Sequence, residues 1–298
     1  MTSAASPGYR MSPAAKRILG RVTIGAAVLL GLVGAYILAF HLRTDPLADV
    51  RAYYDAGSRL NTGAPLYPPG ADPDATDFYR YPPLLALVFR PLARLPFEWA
   101  AGIWGVLMVV AFGWTIRRLG ARDRRTWLAI GILAGPIAWA LAVGQAQTLT
   151  TLLLAVGNPA AVALAGQLKV FPALVALYWV GRRDWRRLGE FAAWNAGWIA
   201  LQWILAPADT VAFVGVTNLG AVGDVNNLSP YAVSPLLWGV FVVVGLVVAL
   251  RLAPTRFGWV AAVTVAVLAT PRLLEYMLMT LLAGLRGPDE DAHAKTGP

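Results

Sequence analysis

Residues 18–40, ILGRVTIGAAVLLGLVGAYILAF, decide the fold class of this 298-residue chain. A helix rises about 1.5 Å per residue, so the run is long enough to cross a hydrocarbon core of roughly 30 Å. Basic residues precede it, but the run is too long for the apolar part of a signal peptide, and no small-residue cleavage site follows. We therefore expect a retained first span whose N-terminus lies in the cytoplasm.

The composition of the whole chain extends this interpretation. Hydrophobic residues make up 58% of it, charged residues 14%, and the mean hydropathy is +0.58. A soluble domain of this size needs far fewer apolar residues. The net charge of +9 comes mainly from short basic clusters between apolar runs, a pattern typical of cytoplasmic loops. The charge therefore indicates topology, and we expect no nucleic-acid partner.

Three basic clusters fix the predicted crossings, because each cluster should stay inside. They are Arg117, Arg118, Arg122, Arg124 and Arg125; Arg182, Arg183, Arg186 and Arg187; and Arg251 with Arg256. The predicted spans are Ile18–Phe40, Glu98–Ile116, Trp127–Val143, Gln147–Val180, Glu190–Leu205, Leu236–Leu250, Phe257–Ala269 and Leu273–Leu285. The fold class is thus all-α, a polytopic transmembrane bundle of about eight spans.

Two predicted crossings are irregular. Gly157-Asn158-Pro159 interrupts residues 147–180, which favours one span plus a half-helix over three crossings. Thr270-Pro271-Arg272 divides the last segments, either into two short tilted crossings, which we favour, or into one kinked span. We expect one membrane domain over residues 18–285, with cytoplasmic tails at 1–17 and 286–298.

The first outer loop, residues 41–97, contains a polar island. Its residues 44–83 hold six of the sixteen acidic residues. Asp49–Leu60 is predicted to form a short amphipathic helix, and the side chains available to its membrane face are Val50, Tyr53, Tyr54 and Leu60. Leu84–Leu95 is too short to span, so we expect an interfacial or re-entrant helix.

Motifs along the chain carry a resemblance to a known family. In order they are DVRAYYDAG (49–57), GAPLYPP (63–69), FYRYPP (78–83), RPLARLP (90–96), VGQAQTL (143–149), AGQLKVFP (165–172) and TPRLLEYML (270–278). Each is weak alone, but together over residues 20–285 they resemble glycosyltransferase family 87, membrane enzymes of the C-type glycosyltransferase fold. The chain is short for that family, and the family's outer-loop asparagine motif is represented only by GDVNNLSPY (223–231).

The resemblance implies an inverting transfer of a hexose, with mannose favoured, from a polyprenyl phosphate to an envelope glycolipid or glycan. The implied site is the outer face of the bacterial inner (plasma) membrane. Asp49 matches the carboxylate that acts as general base, which must accept the proton of the attacking hydroxyl. Two alternatives stay open: Asp49 simply caps the helix that starts beside it, or Asp45 is the base. Asp72, Asp74 and Asp77 are expected to be solvated.

Cations near the leaving phosphate would stabilise its developing charge. Arg51, Arg80 and Arg272 are the candidates, and Arg80 with Tyr81 lies in the shared motif. The alternative for Arg80 is that its guanidinium reaches up to lipid phosphates. Lys169 stands in an apolar segment, where an ammonium is costly unless it lines a cavity or has a partner. It is a candidate for donor-phosphate binding or an internal ion pair, or else an interfacial anchor.

Three further side chains have open interpretations. Gln145 and Gln147 are candidates for binding sugar hydroxyls, and they could equally form hydrogen bonds between helices. For Glu275 we favour an intrahelical pair with Arg272.

Several sites are not expected. The chain has no cysteine, its two histidines are far apart, and no Gly-rich phosphate loop is present. Asp72-Pro73-Asp74 has the spacing of a nucleotide-sugar motif, but it lies outside, so we expect neither metal nor cofactor. A transporter or flippase using Lys169 and Glu275 as a relay is an alternative function, as is an inactive scaffold. The absence of a visible inverted repeat disfavours the transporter.

Overall fold

The computed structural model of the chain describes residues 12–68, 70, 72, 74–75, 78–216, 222–223 and 225–288. Within these ranges the structure is helical and contains no strand, as predicted. The α-helices are α1 (Pro13–Thr44), α2 (Ala48–Thr62), α3 (Pro83–Leu92), α4 (Phe97–Leu119), α5 (Arg124–Ile132), α6 (Ala134–Ala142), α7 (Gln147–Val156), α8 (Pro159–Leu168), α9 (Leu177–Gly181), α10 (Trp185–Leu205), α11 (Pro207–Val216), α12 (Pro235–Leu252) and α13 (Gly258–Leu268). The 3-10 helices are Phe171–Ala176, Pro230–Ala232 and Glu275–Leu285.

The described residues do not confirm all eight predicted crossings. Among the described residues, α1, α4 and α12 are long and apolar enough to cross a membrane. The bent pairs α5–α6 (70°) and α10–α11 (114°) raise the number to at most five if each pair is one span. The segments α7, α8, α13 and 275–285 have only 10 or 11 residues each, too few to cross as straight helices. The helical membrane character is confirmed, whereas eight spans are not.

The predicted interruption after α7 is present. Gly157 ends α7 with φ +69°, a conformation that glycine adopts without steric cost. The Asn158 side chain then accepts the Ala161 N–H at 2.8 Å and caps α8, and Pro159 occupies the first position of α8. The chain therefore reverses here through a standard pair of helix caps.

The helices of the first outer loop pack differently from the prediction. Val50 and Tyr53 of α2 are fully buried, in one core cluster with Leu85 and Phe89 of α3. Gly57 allows the contact, because a Cβ there would lie 2.7 Å from the Phe89 backbone. The prediction that Val50 and Tyr53 face the membrane was wrong, since α3 and α4 cover that face.

The buried side chains form two hydrophobic clusters. The outer cluster is built mainly from α2, α3, α4 and the loop before α3, with Leu168 from the end of α8; it includes Tyr53, Tyr81, Phe89 and Trp104. The inner cluster is built from α6–α9, α13 and residues 275–285, and includes Trp179, Trp259, Tyr276, Met279 and Leu282. The Lys169 ammonium lies over the Tyr81 ring of the outer cluster and over the Tyr276 ring of the inner cluster. The polar site around Lys169 therefore lies where the two clusters meet.

Candidate functional site

The first part of the site is the junction between α2 and α6. The Leu47 N–H donates to Ala142 O at 3.0 Å, and the Asp49 N–H donates to Val143 O at 3.2 Å. These bonds attach the first turn of α2 to the last residues of α6. They position Asp49 beside the turn that follows α6, which carries the VGQAQ motif.

Asp49 lies inside the first turn of α2 rather than at its cap. The N-cap is Leu47, in the left-handed conformation (φ 59°), and no side chain caps the helix. The alternative that Asp49 serves as the N-cap was therefore wrong. The positive end of the helix dipole still stabilises a carboxylate in the first turn. The Asp49 side chain does not cap the helix, so it is free of that structural role.

The turn after α6 holds Gln145 at the centre of the site. Gly144 has φ +70°, and a Cβ there would collide with the Val50 side chain. The fully buried Gln145 accepts hydrogen bonds through Oε1 from Tyr53 Oη (2.6 Å) and Tyr81 Oη (3.1 Å). Its Nε2 has no hydrogen-bond partner within normal bonding distance in the described structure, although it still acts on Asp49 as a donor. The two N–H groups of Nε2 are therefore available to Asp49 and to a ligand.

The surroundings of Asp49 make it a stronger base than an ordinary carboxylate. Burial is the largest influence and raises the pKa of Asp49 from 3.8 to about 6, with a smaller upward effect from Asp45. Lys169, Arg80 and the Gln145 amide act in the opposite direction and lower this pKa. The carboxylate therefore stays ionised at neutral pH, while its affinity for a proton is raised toward the operating range of a general base.

Lys169 is a buried cation without a hydrogen-bond acceptor. It follows the last residue of α8 in an extended conformation, and its Nζ is buried and has no hydrogen-bond partner in the described structure. The ammonium lies 5.2 Å from the centre of the Tyr81 ring and 5.0 Å from that of Tyr276. Two aromatic faces stabilise a cation only in part, and this is not the geometry of a lysine that reaches for lipid headgroups. Asp49 and Arg80 are the charged groups that act on it.

A network of tyrosines anchors the FYRYPP motif. The Tyr67 hydroxyl donates to Tyr81 O at 2.7 Å, and the Tyr79 hydroxyl donates to Pro82 O at 2.8 Å. Arg80 lies between these anchored residues, partly exposed, with its guanidinium 5.4 Å from the centre of the Phe78 ring. The motif therefore presents one cation next to Asp49 and Lys169.

Arg272 provides a second guanidinium, and its partner differs from the prediction. It forms an ion pair with Asp74 at 2.6 Å, and its side chain is 13% exposed. The predicted pair with Glu275 was wrong, because residues 271–274 are not helical and the i, i+3 spacing does not apply. The expectation that Asp74 is solvated was also wrong. Asp72 is exposed as expected, and Asp77 lies outside the described residues.

The structure does not bring Arg51 into the site. Its exposed guanidinium stacks on Phe97, 3.4 Å from the ring centre, where it joins α2 to α4. Asp45 is bound by His41 Nδ1 at 2.8 Å and by the Thr44 hydroxyl at 2.7 Å. It influences Asp49 electrostatically, and its own carboxylate is already engaged by these two side chains.

Two spaces adjoin the site. A cavity of about 50 Å³ is lined by Lys169, Gln147, Thr270 and Thr280, among others. An apolar groove of about 640 Å³ lies between Leu47 and α4, from Phe97 to Val110. The groove opens on the exposed apolar face of α4, and Leu47 at its edge is two residues from Asp49 in sequence. Within the described residues no cluster of three histidine, aspartate or glutamate side chains could hold a metal.

Comparison with known proteins decides the family. The sequence profile of Glycosyltransferase family 87 matches residues 78–285, about 70% of the chain. The chain belongs to glycosyltransferase family 87. The matched region includes Arg80, Tyr81, Gln145, Lys169 and Arg272, whereas Asp49 and Arg51 precede it.

Two curated family relatives are similar to this chain. Both are named polyprenol-phosphate-mannose-dependent alpha-(1-2)-phosphatidylinositol pentamannoside mannosyltransferases. The protein of Mycolicibacterium smegmatis is 28% identical over 205 residues, which covers 62% of this chain and 49% of that protein. The protein of Mycobacterium tuberculosis is 31% identical over 197 residues, covering 57% and 46%. The chain thus spans about half the length of these relatives, and no solved structure matches.

Sequence reasoning missed several residues of the site. The sequence predicted Tyr53 on the membrane face and Asp74 in solvent, and it predicted no role for Tyr276. No contact was predicted for GDVNNLSPY, yet its Asn227 contacts the backbone on both sides of Arg272. Contacts such as that between Tyr53 and Gln145, which are 92 residues apart, join distant segments, and no local sequence pattern predicts them.

Proposed function

We propose that this chain is a membrane mannosyltransferase that moves mannose from a polyprenyl-phosphate donor to a glycolipid hydroxyl, with Asp49 as general base. The observation that carries the proposal is the placement of a raised-pKa carboxylate beside the unsatisfied ammonium of Lys169. A base and an anion-binding cation are the two groups that this transfer requires.

The reaction follows from the charges. Asp49 accepts the proton of the acceptor hydroxyl as its oxygen bonds to the anomeric carbon. The bond between that carbon and the phosphate oxygen breaks, and the polyprenyl phosphate leaves as a monoester that carries the electron pair. Attack from the face opposite the phosphate inverts the anomeric centre.

Lys169, Arg80 and Arg272 are the proposed partners of the phosphate. A buried ammonium without an acceptor is unfavourable unless an anion reaches it. A phosphate would satisfy Lys169 and would be drawn toward the two guanidiniums, which favour planar, bidentate contacts. The attraction between these cations and the phosphate would be strongest as the leaving phosphate gains its second negative charge. The cations would therefore stabilise the transition state more than the bound donor.

The proposal also accounts for a lipid-linked substrate. The apolar groove along α4 begins at Leu47, so a prenyl chain or an acyl chain could lie in the membrane while its headgroup reaches Asp49. Tyr53 and Tyr81 hold Gln145 by its Oε1, leaving Nε2 as a donor for a sugar hydroxyl. The names of the relatives suggest a phosphatidylinositol mannoside as the acceptor.

The proposal is tested with the purified full chain in lipid nanodiscs. Radiolabelled polyprenyl-phosphate mannose is the donor, and phosphatidylinositol pentamannoside or an envelope glycolipid extract is the acceptor. We expect label to enter the glycolipid. Arg51→Gln is the control variant, and it should transfer at nearly the wild-type rate because Arg51 stacks on Phe97 outside the site. Donor binding without any transfer to either acceptor would refute the enzymatic proposal.

A further inference from the structure

The loop after α11 is tied to the turn that carries Arg272. Asn227 Nδ2 donates to Pro271 O at 3.0 Å, and Asn227 Oδ1 accepts the Leu273 N–H at 3.0 Å. The Leu228 N–H adds a backbone bond to Leu273 O at 2.8 Å. One amide side chain therefore binds the main chain immediately before and immediately after Arg272.

The turn that carries Arg272 is not itself part of a helix, so helical hydrogen bonds do not fix its backbone. Residues 270–274 lie between α13 and the 3-10 helix 275–285, and Pro271 has no N–H with which to form a local bond. Without Asn227, Pro271 O and the Leu273 N–H would lose their side-chain partner, and the backbone on either side of Arg272 would be less constrained. Within its own loop Asn227 also accepts the Ser229 N–H at 2.9 Å and donates to Gly223 O at 3.5 Å. Because the arginine side chain is long, a small displacement of the Arg272 Cα produces a large displacement of its guanidinium.

Charge explains why the position of Arg272 needs to be fixed. Its guanidinium is close enough to Arg80 for the two charges to oppose each other, and Asp74 pairs with it at 2.6 Å. Two guanidiniums approach each other readily only when anions lie between or beside them. Asp74 supplies one such charge, and its carboxylate remains 28% exposed.

We propose that Asn227 is a positioning residue that fixes Arg272 against Asp74 and beside Arg80, so that Arg272 can share the donor phosphate. The part that concerns phosphate rests on the proposed function. The part that concerns Arg272 stands on the hydrogen bonds alone. Asn227 does not touch the substrate in this account, because main-chain groups of the turn and of its own loop engage both its Nδ2 and its Oδ1.

The first experiment measures positioning without any ligand. The thermal-stability coupling between Asp74→Asn and Arg272→Gln is determined by a double-mutant cycle, once with Asn227 and once with Asn227→Ala. We expect a clear coupling with Asn227 and its loss in the Asn227→Ala background. Asn226→Gly is the matched control: Asn226 is exposed with φ 55°, which glycine accommodates, so the coupling should survive. A coupling that persists in Asn227→Ala overturns the proposal.

The second experiment measures the donor. Asn227→Ala and Arg272→Gln should each raise the donor KM by about tenfold, the scale of one hydrogen bond to a charged group, and the double variant should raise it little further. An unchanged donor KM in Asn227→Ala would overturn the phosphate part of the proposal. If the wild-type chain binds no polyprenyl phosphate although the stability coupling is lost in Asn227→Ala, the positioning stands and the proposed function fails.

Discussion

The raised pKa of Asp49 leads to a quantitative prediction for the pH dependence of transfer. A general base acts only when it is ionised, and kcat/KM follows its ionised fraction in the free enzyme. With a pKa of about 6, the ionised fraction falls about tenfold between pH 7 and pH 5. With the ordinary value of 3.8, the same change of pH would lower it by less than about a tenth.

Removing a neighbouring charge should shift the pKa of Asp49 in a direction that depends on the sign of that charge. Lys169 lowers the pKa of Asp49, so Lys169→Met should raise it and move the acid limb of the profile to higher pH. Asp45 raises the pKa of Asp49, so Asp45→Asn should move the limb to lower pH. The phosphate diester of the donor does not titrate in this range and cannot produce either shift.

The assay is kcat/KM for mannose transfer in nanodiscs, measured from pH 4.5 to pH 8 with the wild type and both variants. Opposite shifts for Lys169→Met and Asp45→Asn are the expected result. A profile that is flat between pH 7 and pH 5, or two shifts of the same sign, would refute the electrostatic reasoning about Asp49.

Three further predictions use the same protein. The chain has no native cysteine, so Asp72→Cys should react with an impermeant reagent from outside and Asp184→Cys should not; the reverse pattern would invert the topology. Lys169→Met should weaken donor binding, measured by titration with a polyprenyl phosphate, and Lys169→Arg should restore it only in part, because a planar guanidinium does not replace a point charge. Arg80→Gln should lower kcat/KM by about tenfold to a hundredfold, the scale of hydrogen bonds to charged groups, whereas Arg51→Gln should leave it near wild type; equal losses would show that Arg80 acts only through packing.

Local features of the chain were predictable from sequence. The apolar run at 18–40 forms most of α1, and the break at Gly157-Asn158-Pro159 separates α7 from α8. Both depend on neighbours within a few residues, where hydropathy and capping decide the conformation. The boundaries of α2 were likewise predicted to within two residues, because its amphipathic pattern is local.

Contacts between distant segments were not predictable in the same way. Asp74 and Arg272 are almost 200 residues apart in sequence, and no periodic pattern joins them. The predicted Arg272–Glu275 pair assumed that both residues lie in one helix, whereas residues 271–274 are not helical. The buried face of α2 was assigned to lipid because apolar residues that face lipid and those that face other helices look alike in a membrane protein.

The central claim is that Asp49 is the general base, and one substitution tests it most directly. Asp49→Asn keeps the size of the side chain but removes its ability to accept a proton. Loss of one general base typically costs about a hundredfold to ten-thousandfold in rate. Asp45→Asn is the matched control. Asp45 is a carboxylate four residues before Asp49, at the C-terminal end of α1, and it is bound by His41.

The measurement is the single-turnover rate of mannose transfer from saturating polyprenyl-phosphate mannose at pH 7, with donor binding measured in parallel. We expect Asp49→Asn to bind the donor like the wild type and to lose at least about a hundredfold in rate, while Asp45→Asn transfers at nearly the wild-type rate. Near wild-type transfer by Asp49→Asn would contradict the account, and loss of transfer in Asp45→Asn alone would assign the base to Asp45 instead.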